Sequence, residues 1–232
     1  MKKLSTCIFT LLALTGAANA TTITYHTAPG ATFASLPEDL AVTITTAANT
    51  ITVSFDNKTV NPKADTQAIS GLTFVLDQFN NATPTLPAAP QALGTLINIV
   101  SNSTAATIDS VDKISTWQVS GLAAGNATTV NMNVFSGGSP EDLIIGTAPG
   151  NIYSNANNSI KNHNPFIKEF ATFTISMAGV TADTRITSAS FNVGTTTPQQ
   201  LTGVAATPEP GTFMLMSLTA VPFFFCLRKK RS

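Results

Sequence analysis

The sequence predicts an all-β domain, an antiparallel two-sheet sandwich or jelly roll, with a short apolar segment at each end. Three observations carry this. Apolar residues alternate with Thr, Ser or Asn through much of the chain, the period-two signature of a half-buried strand. Gly, Pro and Asn clusters interrupt the alternation, as turns between short strands do. Apart from a weak match at Phe166 to Phe170, no long stretch keeps the 3.6-residue period of the helices that parallel βαβ units require.

The elements follow in order. Ile23 and Tyr25 alternate with Thr in a first strand. Val42 and Ile44 mark a second, and Ile51, Val53 and Phe55 a third. Ala47-Ala48-Asn49 between those two predicts a hairpin. Leu72, Phe74 and Leu76 make a fourth, ahead of the proline-rich loop Pro84 to Pro90. Leu96 to Val100 reads as a fifth and Ile114 to Val119, with Trp117, as a sixth. Val130, Met132 and Val134 alternate with Asn and stop at Gly137-Gly138. Phe173, Ile175 and Met177 follow, then Ala189, Phe191 and Val193. Thr suits such strands because it is β-branched and its hydroxyl tolerates water on the outer face. The expected core is Val53, Phe55, Phe74, Leu76, Trp117, Val130, Val134, Phe173, Ile175 and Phe191. Internal repeats of fixed period, the mark of propellers and solenoids, are not seen.

Charged residues make up 10% of the 232 residues, and the formal net charge is zero. That zero hides an asymmetry. Between Thr21 and Thr207 stand six basic and eleven acidic residues, a balance of −5; the remaining cations sit at the two ends. A mildly acidic domain does not suit nucleic acid, and no nucleic-acid partner is expected, since that binding rests on cationic contacts to phosphate. Cys7 and Cys226 both lie in the end segments, so the domain is no disulfide scaffold and its core must stabilise it.

The first 20 residues form a signal peptide. Lys2 and Lys3 supply the positive start, Leu4 to Ala18 an uncharged apolar stretch, and Ala18-Asn19-Ala20 the small-x-small site that puts cleavage after Ala20. At the other end, residues 208–232, three parts follow in order. Pro208-Glu209-Pro210 is stiff and non-helical. Phe213 to Leu227 is apolar; as a helix it would be about 22 Å long, against a hydrocarbon core of about 30 Å. Arg228, Lys229, Lys230 and Arg231 close it, and such a cluster stays on the cytoplasmic side. The expectation is a marginal anchor that leaves residues 21–207 outside the cytoplasmic membrane.

This ordered set, paired with the signal peptide, resembles the PEP-CTERM sorting signal of Gram-negative bacteria. The resemblance implies a transient stay in the cytoplasmic membrane on a hydrophobic sorting helix. Processing by an exosortase, an integral-membrane transpeptidase-like enzyme that acts at the triplet, would follow. It also implies delivery to the cell surface or extracellular matrix, in association with extracellular polysaccharide and biofilm.

Chemistry in the domain is sparse. His26 and His163 are its two histidines, fewer than a zinc site of the usual kind requires. A Ser-His-Asp triad is not excluded by counting, but no G-x-S-x-G elbow is present. The pairs Glu38-Asp39 and Glu141-Asp142 each follow a proline and read as turns or first turns of short helices. Adjacent carboxylates do not face one another across the 5 to 10 Å or so of a glycosidase site. Asp109, Asp112 and the Asn-rich loop from Asn151 to Asn158 offer oxygens without the spacing of a calcium loop. No catalytic residue, metal site or cofactor is therefore expected. Five Asn-x-Ser/Thr sequons, at Asn57, Asn81, Asn102, Asn126 and Asn157, match what so Asn- and Thr-rich a chain contains by chance. The expected function is that of a non-enzymatic surface or matrix protein. The alternative is a carbohydrate-binding module that holds exopolysaccharide through loops around Tyr153, read as an exposed aromatic.

Overall fold

A computed structural model describes residues 20–77, 89–111, 114, 116–124, 127–135, 139–196 and 199–206. Ala18, Pro208, Glu209, Pro210, the apolar run and Arg228 to Arg231 lie outside the described residues, as do Asn81, Asn126 and Asp112. Among the described residues no helix is long and apolar enough to cross a membrane.

The domain is all-β. Its strands are β1 (Thr21–His26), β2 (Thr32–Phe33), β3 (Leu36–Pro37), β4 (Leu40–Ala47) and β5 (Thr50–Asn57). After a 3₁₀ turn at Asp65–Gln67 come β6 (Ile69–Asp77), β7 (Gln91–Asn98) and β8 (Thr107–Val111). Then follow β9 (Gln118–Ala124), β10 (Ala127–Asn133) and β11 (Leu143–Ile145). A second 3₁₀ turn, Pro149–Asn151, and the one-turn helix α1 (Asn158–Lys161) lead into β12 (Phe166–Ser176), β13 (Arg185–Val193), β14 (Gln200–Thr202) and β15 (Val204–Ala205).

Thirteen strands join in one sheet, with β2 and β3 as a separate hairpin. The main path runs β14-β13-β6-β11-β12-β5-β4-β1-β15; β10 and β9 extend from β6, and β7 and β8 from β12. The two ends of the path meet, because one residue, Gly203, separates β14 on β13 from β15 on β1. Gly203 donates to Ala189 O, and a Cβ there would lie 2.8 Å from that oxygen and 3.1 Å from Tyr25 Cβ, so only glycine fits the closure. Tyr25 Oη adds a 3.1 Å bond to Ile186 O, tying β1 to β13.

The sheet is mixed, which departs from a wholly antiparallel expectation. β11 and β12 run parallel, Leu143 opposite Phe166 and Ile145 opposite Lys168. Parallel neighbours need a crossover of a dozen residues or more, and the segment 146–165 supplies it.

All ten expected core residues are buried. Phe55, Trp117 and Phe173 form an aromatic cluster with centroid separations of 4.6 to 5.6 Å. The hydroxyl-rich outer face has its own order. Thr22 meets Thr45 at 3.0 Å, Thr24 meets Thr43 at 2.9 Å, and Ser54 meets Thr172 at 3.2 Å. Each is a directly opposed cross-strand pair, the arrangement in which hydroxyl pairs support a sheet.

Three sequence expectations shift. The strand expected at Leu96 to Val100 is β7, which begins at Gln91 and ends at Asn98. Asn164 ends it by copying a strand partner: its Oδ1 accepts from Ile99 N at 2.7 Å and its Nδ2 donates to Ile99 O at 2.9 Å. Trp117 precedes β9 rather than lying inside a strand; its indole N–H donates to Asp142 O at 2.9 Å while its ring fills the core. The helix-like spacing at Phe166 to Phe170 belongs to β12. A bulge between Ile167 and Ala171, with Glu169 at φ 59°, breaks the alternation there.

Candidate functional site

Ala20 is exposed just before β1, the one residue of the expected processing signals that the structure describes. Tyr153 overturns its expected role. Its ring is fully buried and its hydroxyl donates to Gly146 O at 3.0 Å. Burial, with the Glu169 charge second, pushes the phenol pKa up. The Asn-rich sequence around it concealed an anchor that pins the crossover to the end of β11, so no sugar can stack on it.

The sequons diverge. Asn102 is exposed. Asn157 caps α1, its Oδ1 accepting from Ser159 N at 2.8 Å. Asn57 is buried, its Nδ2 donating to Gln67 O and Ile144 O at 2.9 Å and its Oδ1 accepting from Thr59 N at 3.1 Å. No glycan fits there in the folded domain. Asn57→Ala, which strands three buried backbone partners, should cost about 1–3 kcal/mol, read as a shift in urea midpoint at constant slope.

Glu141 and Asp142 form no helix. Glu141 is exposed, whereas Asp142, at φ 58°, is buried and accepts from Thr116 Oγ1 at 2.8 Å. Glu38 and Asp39 form the turn from β3 into β4, again without a helix.

Folding assembles a group that spacing gave no hint of. Ser139 Oγ lies 3.1 Å from His163 Nδ1, and His163 Nε2 lies 4.0 Å from Asp65 Oδ2. The order is that of a triad, but the proton placement is not. His163 Nδ1 also lies 3.2 Å from Pro140 O. A carbonyl only accepts, so the bond to Pro140 O requires the tautomer with its proton on Nδ1, which takes none from Ser139. Asp65 Oδ2 further accepts from Thr195 Oγ1 at 2.8 Å. The group clamps the loop before β11 to the 3₁₀ turn and to the segment after β13.

Glu38 is the strongest anomaly. It is 4% exposed, and neither carboxyl oxygen has a hydrogen-bond partner. Burial pushes its pKa up to about 8. It lines a groove of about 730 Å³ with His26, Pro29, Asp39, Lys58 and Val60. His26, at the end of β1, bonds Thr27 O through Nδ1 at 3.0 Å. Lys58 reaches Asp56 at 3.7 Å. Asp56 is raised as well, by burial first; Lys58 pulls it down and Asp39 pushes it up. A carboxyl at a proline-led turn gave no sequence signal of burial.

A second groove, about 530 Å³, opens at the β12 bulge. Leu93, Ile108 and Phe170 are exposed there beside Lys168 and Glu169. Among the described residues, no cluster of His, Cys, Asp and Glu could hold a metal ion.

Fold and grooves together define an all-β domain with a mixed sheet. No family model matches the chain, and no curated protein or solved structure matches it either.

Proposed function

We propose that this chain is an exported, non-enzymatic surface or extracellular-matrix protein, delivered through an exosortase and associated with exopolysaccharide. The observation that carries the reading is the ordered tail, Pro208-Glu209-Pro210, then Phe213 to Leu227, then Arg228 to Arg231, on a chain that opens with a signal peptide. The short apolar run holds the membrane weakly, and the four cations resist crossing, since each costs about 2.5 to 3.5 kcal/mol at mid-bilayer. Processing near Glu209 then frees the domain on the outside. The domain itself is read as a two-layer sandwich. The meeting of the sheet's two ends at Gly203 and the single shared core support that architecture. Mass spectrometry of the C-terminal peptide from matrix-recovered protein tests the route. Chains ending near the triplet are expected; Ser232 present in most molecules would leave a permanent anchor instead.

A second reading, a carbohydrate-binding module, draws on the bulge groove. Phe170 is 56% exposed and offers an apolar face beside charged and hydroxyl side chains, the mixture a sugar ring uses. Retention of the protein on the producer's polysaccharide should then fall in Phe170→Ala with the fold unchanged. Equal retention of both proteins would remove this reading.

A further inference from the structure

We infer that the groove beside Glu38 is a binding site for a primary alkylammonium group, of the kind a lysine side chain carries on its unbranched apolar stem. The inference is independent of the sorting route. A buried carboxyl that no protein group donates to is expensive to keep, and both oxygens of Glu38 are in that state. What would satisfy them is a donor from outside.

The surrounding chemistry selects the donor. Of the elements packed around Glu38, β1 contributes His26, the turn itself contributes Asp39, and the end of β5 contributes Asp56 and Lys58. The segment 27–31 and strands β2, β3 and β4 contribute no titratable side chain. The 3₁₀ turn, whose Gln67 donates to Pro37 O, carries Asp65, but that carboxylate faces Thr195 and His163. Asp39 and Lys58 line the groove, and Lys58 is held at 3.7 Å by Asp56, which lies outside the lining; Asp39 is thus left facing the groove without its cation, which favours a cationic ligand. Calcium needs 6 to 8 oxygens and zinc three or four side-chain ligands, and among the described residues no group of three or more His, Cys, Asp or Glu could hold a metal ion. An ammonium needs three acceptors at most. Ala28, Pro29, Pro37, Ala41 and Val60 line the groove with apolar surface, which matches a methylene stem better than a hydroxylated ring. Glu38 lines the groove at 4% exposure, so a bound headgroup meets it from the groove side.

The site has a proton signature. Binding a cation beside Glu38 favours its charged form, so the carboxyl gives up a proton to solvent as the ammonium arrives. Below about pH 8, affinity should rise by up to about tenfold per pH unit and then level off.

The test is calorimetric titration of the full-length protein with N-acetyl-lysine methylamide at pH 7, in two buffers of different ionisation enthalpy. Binding with release of close to one proton per ligand is expected. The norleucine analogue, which lacks the ammonium, and glucosamine should give no binding. Glu38→Gln should abolish the proton release and the pH slope. Asp39→Asn, on the exposed side of the turn, should weaken binding several-fold with proton release intact, which guards against a misfolded Glu38 variant. The inference is overturned by no heat with the lysine probe, by equal binding of norleucine, by binding of glucosamine alone, or by proton release that survives in Glu38→Gln.

Discussion

Replacing Trp117 with alanine is expected to cost the domain about 3–5 kcal/mol, the range for deleting a large buried aromatic. Its ring lies 5.5 Å from Phe55 and 4.6 Å from Phe173, while those two meet edge to face at 5.6 Å. Phe55 belongs to β5 and Phe173 to β12, so Trp117 fills space between its own segment and two paired strands. Its indole N–H also holds Asp142 O, next to the point where β11 begins to bridge β6 and β12. Alanine removes the ring contacts and that bond together. Phe would keep most of the packing and lose the bond, worth about 1 kcal/mol. Urea unfolding of the three proteins should rank them wild type, Trp117→Phe, Trp117→Ala. Phe170→Ala serves as the surface control, expected within about 0.5 kcal/mol of wild type. A cost that small for Trp117→Ala would mean the aromatic cluster does not organise the core.

The strand faces were legible because burial repeats every two residues, and the alternation read at Val42 and Ile44, Ile51 to Phe55, Leu72 to Leu76, Val130 to Val134 and Ala189 to Val193 survives folding. What escaped was set by partners far along the chain. β11 is three residues long and exists because β6 and β12 flank it. The bulge at Glu169 imitated a helical period because it adds residues to one strand. β8, β14 and β15 are short edge or closing segments with too few alternations to register.

Side-chain roles followed the same division. Trp117 was placed in the core by its apolar neighbours, correctly. Tyr153, set among Asn and Gly, looked solvated, yet a loop can carry one residue inward while its neighbours stay wet. Ser139, His163 and Asp65 meet across separations of 24 and 98 residues, beyond the reach of any local motif. Glu38 is the sharpest case. The pair Glu38-Asp39 reads as a turn or the first turn of a short helix; polar residues at turns are usually exposed, yet folding buries Glu38 and leaves Asp39 exposed.

That burial makes a pH prediction with a definite sign. Glu38 has its folded pKa raised from 4.5 to about 8. Between those values the folded state holds a proton that the unfolded chain has released. Its contribution to stability is therefore fully present below about pH 4.5, is lost progressively as pH rises toward 8, and changes no further above. At about 1.4 kcal/mol per pH unit the span is on the order of 4–5 kcal/mol. Glu38→Gln has no charge to expose and should lack this slope. Near pH 5 the two proteins should unfold at similar urea concentrations; by pH 8 to 9 the variant should be the more stable by several kcal/mol. Asp56, also raised by burial, bends both profiles alike, so the difference between them isolates Glu38. Parallel profiles would mean that water or a shifted side chain already solvates the carboxylate. A ligand ammonium acts in the opposite sense to the proton: saturating the wild type with N-acetyl-lysine methylamide should restore part of the lost stability at pH 8, and by more than the same ligand stabilises Glu38→Gln. The same residue would then account for both the domain's instability in mild base and its recovery on binding.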